Sequence, residues 1–458
     1  MKVKKFLSEY FLAVVGVVYV FLFIPYNLNN LLPFYSALVF IYIFFLLLYK
    51  KKGAPFIVIS LACIMPCFSS NGSEGVFDYY VQWLFYAIRI SCIFIIFCRL
   101  NKITLSKRHL PFMCSIVFLF LVILLLQLFY ENNPKDFILG YLSTYLFLFI
   151  CYNEKVKIQL FYFFLSWIFL FTFCYAILEY HFSFCPYNIV YFLFLDTDVY
   201  RAKGLLGHPL ILCEFALFYS SILFIKMYIS NVLKKSDLLL YVLCLYLLLI
   251  TGSRTALFGG IIELIIFFTF SYRRYKLNKI ILFLCGFGML LFLFYFFNID
   301  KFDYLYGRFS DGAEHREAGF STVFSMFHDN IYGVGPQNVG KKMFTYAKTG
   351  LLQINTLDNT YLTLLGGYGV FCVFPFINLF LPLIYSFFKK EKNYIFVFCM
   401  LYIPLFAVGF SFDFESYILV SLLYYGSSGF FMRYLDEKGR KYNRLGNKKN
   451  NHACNNNC

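Results

Sequence analysis

Residues 358–390, DNTYLTLLGGYGVFCVFPFINLFLPLIYSFFKK, open on polar helix-starting residues, continue as an apolar run and end on two lysines. A run of this kind is long enough to cross a bilayer, whose hydrocarbon core takes about 20 apolar residues per helix. Directly before it, between Asp300 and Asn355, lies a polar passage carrying GRFSDGAEHREAGF (307–320) and DNIYGVGPQNVG (329–340). A polar segment of that size, late in a chain otherwise built of apolar runs, is where the chemistry is expected.

Working outward, the same pattern repeats. Of all residues 61% are apolar, 23% aromatic and only 14% charged, well outside the averages for soluble domains. Apolar runs lie near 8–26, 31–49, 54–68, 80–98, 110–130, 137–152, 158–180, 209–228, 237–251, 256–271, 279–298, 358–388, 394–411 and 415–433. The expected fold is an all-α, polytopic integral membrane protein of about 12–14 transmembrane helices with one large external loop over 299–357. Residues 1–298 form helices with short loops, 358–433 the C-terminal helices, and 434–458 a disordered tail. The first run follows MKVKK without a small-residue cleavage site, so it reads as a retained signal anchor.

With the N-terminus placed in the cytoplasm, most of the 40 Lys and Arg fall in cytoplasmic gaps and tails. That is the positive-inside pattern, and it puts both termini inside. The formal net charge of +16 therefore belongs to the cytoplasmic face, where membrane lipid is the partner, and nothing calls for nucleic acid. Of the 15 Cys only Cys185 is clearly external, so no disulfide framework is available. His452, Cys454 and Cys458 sit in the Asn-rich tail and are not expected to hold a metal, which needs fixed geometry.

Four external constellations can carry chemistry. In Arg201-Ala-Lys203-Gly-Leu-Leu-Gly-His208-Pro209, two glycines permit tight turns and Pro209 suits the first turn of a helix. A helix start flanked by Arg201 and Lys203 can hold a phosphate, or both bases can snorkel to head groups. Thr251-Gly-Ser253-Arg254-Thr255 is a short external turn in which Arg254 either offers its planar fork to phosphate oxygens or snorkels behind a Ser253 cap. In the large loop, Arg308 and Arg316 come together only if that stretch is helical or folds back. Phe320, Val323, Phe324 and Phe327 then recur at helical spacing, predicting an amphipathic helix on the outer leaflet, and Gly333, Gly335 and Pro336 return the chain. Asp358 and Asn359 stand at the head of a long helix, where the carboxylate is a cap or a general base. Within the membrane, Arg89, Glu214 and Glu263 are costly unless paired, and Arg89 with Glu263 reads equally well as a buried ion pair or as catalytic.

No metal-ligand spacing, nucleophile elbow or nucleotide-binding loop is present. External arginines, a carboxylate and apolar walls suit a lipid pyrophosphate donor. A polysaccharide exporter or flippase would share the composition, but it would place its ionisable residues near the bilayer midplane rather than at the outer face.

RAKGLLGHP (201–209), TGSRTALFGG (251–260), the stretch from Gly307 to Gly340 and DNTYLTLLGGYGV (358–370), in this order and on one face, resemble the bacterial O-antigen polymerase and ligase superfamily. Among its members the chain is most similar to Wzy-type surface polysaccharide polymerases. The resemblance covers about residues 195–390. It implies metal-independent, inverting glycosyl transfer at the outer face of the cytoplasmic (inner) membrane, without a cofactor. The donor would be an undecaprenyl-diphosphate-linked oligosaccharide, and a chain-length regulator and a flippase of the same pathway would be partners. It further implies that Arg254 and one of Arg308 or Arg316 grip the diphosphate, with Arg201, Lys203, His208 and Asn359 beside them. Asp358 would orient or deprotonate the acceptor hydroxyl. Ligases of this superfamily typically carry His where this chain has Asp358, which favours polymerase over ligase and leaves His208, His315 and His328 as other candidates for the base.

Overall fold

The computed structural model describes residues 58–59, 110–130, 143–153, 158–182, 201–206, 209–271, 288, 313–335, 338–346, 359–389, 391–409 and 418–455. Among them the regular structure is helical, with no strand. The helices are α1 (Leu110–Tyr130), α2 (Ser143–Asn153), α3 (Ile158–Phe182), α4 (Pro209–Ser230), α5 (Lys235–Thr251) and α6 (Arg254–Ser271). They continue as α7 (Ala313–Asp329), α8 (Val339–Tyr346), α9 (Thr360–Tyr368), α10 (Val373–Lys389), α11 (Lys392–Gly409) and α12 (Ile418–Asn455). Among the described residues four stretches are long and apolar enough to cross a membrane: Ile158–Phe182, Pro209–Ser230, Arg254–Ser271 and Thr360–Phe380. The chain is an all-α polytopic membrane protein.

α4 is the axis of the bundle. It is buried on every face, and α3, α5, α6, α11 and α12 pack around it. α6 shows the opposite case. Phe258, Ile261 and Ile265 form an exposed stripe at helical spacing, while Gly259, Gly260, Glu263 and Phe267 face inward. At Gly259 a Cβ would run into Ala407 of α11 and Leu217 of α4, so the absent side chain lets three helices approach closely. Gly426 and Gly429 do the same where α12 lies along α2, against Phe147, Cys151 and the Leu148 carbonyl.

The buried polar groups tie helices together. Glu263 is fully buried, and its partners are the hydroxyls of Ser220 and Ser221 on α4, the latter also 2.7 Å from the Met400 carbonyl of α11. Two hydroxyls on a neighbouring helix thus supply hydrogen bonds to a carboxyl held in an apolar core. Arg89 itself lies outside the described residues. Asp436 on α12 accepts from Tyr152 of α2 at 2.9 Å and Tyr394 of α11 at 2.6 Å. Lys226 and Asp237 close the α4–α5 connection with a 2.7 Å ion pair.

Two boundaries differ from the sequence reading. The apolar run expected as one helix over 358–388 is broken: α9 ends at Tyr368, a 3-10 turn follows over Gly369–Cys372, and α10 starts at Val373. Gly369 takes φ 56, a left-handed conformation that interrupts the α-helical ladder. α12 runs to Asn455, past the boundary expected at residue 433 and through the segment read as a disordered tail. Its extension begins with an Arg433–Glu437 pair at i,i+4 spacing, 2.7 Å long, among helix-favouring Lys, Arg and Glu.

Candidate functional site

The site is built on the turn between α5 and α6, which is tighter than the sequence suggested. Thr251 is the last residue of α5 and Arg254 the first of α6, so only Gly252 and Ser253 lie between the helices. Gly252 holds φ 64 and donates its N–H to the Leu249 carbonyl, a left-handed cap open to glycine at little cost. Ser253 is buried, and its hydroxyl accepts from the Ala256 N–H at 3.4 Å, capping α6 as expected. Arg254 is half-buried at the N-terminus of α6 rather than at the tip of an open loop.

A strap from Arg201 to Leu206 lies across this turn. Arg201 donates its Nε–H to the Thr251 carbonyl at 2.7 Å, and the Ala202 N–H bonds the Ile250 carbonyl at 3.1 Å. Both acceptors belong to the last turn of α5, whose carbonyls have no partner within the helix and form its negative end. From the other side Glu179, in the last turn of α3, accepts the Lys203 N–H at 3.3 Å and the Gly204 N–H at 2.5 Å. Lys203 is itself buried, and Gly204 takes φ 57 to start the 3-10 turn that leads to α4. α4 begins at Pro209, as its fixed φ favours. In its first turns Cys213 donates its thiol to the Leu210 carbonyl at 3.0 Å and lies near Ser253 and Arg201. The strap thus gathers the starts of α4 and α6 and the guanidinium of Arg201 at one point.

A second arm reaches the same end of the bundle. Asn359 is buried, and its Oδ1 accepts the Leu362 N–H at 3.0 Å, so the capping expected of Asp358 is performed by its neighbour. The Tyr361 hydroxyl points at the Leu405 carbonyl of α11, 3.4 Å away, close to Ala407, which packs on Gly259 of α6. α9 and α6 thus each touch the last turns of α11.

The loop folds onto this arm by its backbone. The Val334 and Gly335 N–H groups bond the Gly366 and Gly367 carbonyls at 3.0 and 2.9 Å, and the Val370 N–H bonds the Ile331 carbonyl at 2.8 Å. α7 carries Val323 and Met326 into a small core with Val334, Val339, Met343 and Leu362, while Phe320 and Phe324 stay exposed. The helix read from the Phe and Val spacing exists, but its apolar residues divide: Val323 points at protein, Phe324 away from it.

Of the expected site residues, Arg201, Lys203, Arg254 and Asn359 are placed as above. Arg316 and His315 lie on α7, their side chains outside the described residues, and His208, Arg308 and Asp358 lie outside them entirely. His328 is exposed at the end of α7, 3.3 Å from the neighbouring Asp329 carboxylate. Glu179 was missed, and its sequence signal is one acid near the end of an apolar helix.

Beside the negative end of α5 and the Glu179 carboxylate, both occupied by the strap, stand groups of positive sign: the starts of α4 and α6 and the Arg201 guanidinium. Helix N-termini present partial positive charge and N–H donors to anions, and a guanidinium adds full charge with paired donors. Groups of this kind at one end of an apolar bundle are able to hold an anion. Residues 239–377, from α5 through the loop to the beginning of α10, match the family model Wzy_C, described as O-antigen ligase. No curated protein matches the chain.

Proposed function

We propose that this membrane protein is a polymerase of the O-antigen ligase and polymerase superfamily, joining oligosaccharide repeat units carried on undecaprenyl diphosphate; the match of residues 239–377 to the O-antigen ligase family model supports the superfamily. The observation that supports this reading is the seating of Arg201 on the end of α5, three residues before Arg254 opens α6. One guanidinium is fixed by its Nε–H to Thr251, and the other stands where a helix N-terminus adds to its field.

The transfer breaks the bond between the anomeric carbon and the diphosphate oxygen while an acceptor sugar hydroxyl attacks the opposite face of that carbon, inverting it. The electron pair of the broken bond leaves on the diphosphate, whose charge grows in the transition state. Arg201 and Arg254, with Arg308 or Arg316 from the loop, hold that charge, and Lys203, His208 and Asn359 flank it. Donors placed where charge develops contribute most to catalysis; removal of one costs about 100- to 1,000-fold in rate. The proton of the attacking hydroxyl goes to Asp358. The reaction takes place at the outer face of the inner membrane, both termini being cytoplasmic, with a flippase supplying donor and a chain-length regulator setting product size.

One observation favours a second reading. The matched model carries the ligase description, and a ligase would transfer finished glycan to a lipid A-core acceptor with the same diphosphate grip. Asp358, at the position where ligases of this superfamily typically carry His, speaks for the polymerase. Arg254→Ala tests the shared grip: long-chain glycan is expected to disappear while the variant reaches the membrane in wild-type amount. Normal long chains from a well-expressed Arg254→Ala protein would refute it.

A further inference from the structure

Glu179 has no part in the chemistry above, yet its carboxylate is only 2% exposed and faces the backbone of the strap. It accepts from two successive backbone N–H groups, of Lys203 and Gly204, 24 and 25 residues further along the chain. An ionisable group in such a place is retained only when hydrogen-bonded, and here the bonds join α3 to the backbone of the strap. On one side of the strap Glu179 holds Lys203 and Gly204; on the other the end of α5 holds Arg201 and Ala202. Removing the carboxylate takes these two bonds from the strap and loosens the backbone that carries Arg201 onto Thr251. Gly204 adds to the dependence, since at φ 57 it sits in the left-handed region, with Leu212 of α4 and Ala176 of α3 close around it.

We propose that Glu179 is a positioning residue, which sets Arg201 at the diphosphate site by holding the 201–206 strap between α3 and α5. This rests on the reading of Arg201 as a diphosphate-binding group, and the test separates the two. The full-length protein is reconstituted in lipid nanodiscs as wild type, Glu179→Ala, Glu179→Gln, Arg201→Ala and the double variant Glu179→Ala/Arg201→Ala. Amide hydrogen exchange over the strap is measured first. The Lys203 and Gly204 amides are expected to exchange at least tenfold faster in Glu179→Ala, while those of α4 keep wild-type protection. Glu179→Gln, which retains one acceptor oxygen, is expected to fall between and stands in if the alanine variant does not fold. Wild-type protection of both amides in folded Glu179→Ala would overturn the proposal.

Donor KM and kcat are then measured with the undecaprenyl-diphosphate-linked repeat unit. Glu179→Ala is expected to raise KM about tenfold by itself and to add nothing in the Arg201→Ala background, because one residue acts through the other. Equal losses in both backgrounds would assign Glu179 a general structural role and overturn its action through Arg201. If Arg201→Ala leaves KM unchanged while Glu179→Ala releases the strap, the diphosphate reading of Arg201 fails and the Glu179 anchor stands as a tie on the strap alone.

Discussion

Gly333→Ala puts the docking of the external loop to a quantitative test. Gly333 holds φ 85, and a Cβ there would collide with the Gly367 carbonyl and the Tyr368–Gly369 backbone. Those atoms are main chain and cannot swing aside as a flexible side chain would. Alanine must therefore either strain the backbone, at about 1–3 kcal/mol for a non-glycine residue in such a conformation, or let the loop leave the helix break. Undocking gives up three hydrogen bonds, from Val334, Gly335 and Val370. At about 1 kcal/mol net for each bond the docked state loses about 3 kcal/mol, close to a 100-fold shift in the opening equilibrium. Amide hydrogen exchange on the protein in nanodiscs reads that shift directly. The Val334, Gly335 and Val370 amides are expected to exchange about 100-fold faster, with α4 and α5 unaffected. Gly439→Ala, where a Cβ meets nothing within 4 Å, is the control and should leave the three amides unchanged. Wild-type exchange at these amides in Gly333→Ala would refute the zipper between loop and helix break.

Asp358→Asn is expected to lower kcat while leaving donor affinity intact, because the carboxylate acts on the acceptor; a parallel loss of donor binding in a titration would make Asp358 a binding or folding residue instead. Asp436→Ala leaves the Tyr152 and Tyr394 hydroxyls without their acceptor and is expected to cost about 2–4 kcal/mol of stability, read as a lower midpoint in denaturant. Gly429→Leu forces α12 away from the Leu148 carbonyl of α2 and is expected to lower the thermal midpoint in detergent, whereas Gly439→Leu is not.

The sequence carried the parts of this architecture that depend on neighbours in the chain. Pro209 announces the start of α4, and the Gly252–Ser253 pair marks the turn before α6, because caps and turns are written in consecutive residues. The spacing of Phe320, Val323 and Phe324 gave the helix α7 but not its orientation, since periodicity does not say what the helix packs on. Lipid and protein both accept apolar side chains, so neither the centrality of α4 nor the exposed stripe of α6 has a compositional mark.

The break at Gly369 was hidden by the apolar residues on either side of it. Its purpose is visible only with Ile331 and Gly333 beside it, more than thirty residues earlier in the chain. Glu179 illustrates the same limit within the site. Arginines beside apolar runs, such as Arg201 and Arg254, stand out in a sequence, but the acid that holds the Arg201 strap acts on backbone N–H groups, which have no signature there.

The central claim, polymerisation on a diphosphate-linked donor at the outer face, is tested most directly by the lipid-linked intermediates and glycan length of a deletion strain, with and without the gene restored. Single repeat units accumulating on undecaprenyl diphosphate at the outer leaflet, with lipid A bearing at most one unit, are the expected result. Long chains that form on undecaprenyl diphosphate but never reach lipid A would contradict it in favour of a ligase, and units trapped on the cytoplasmic leaflet would contradict it in favour of a flippase.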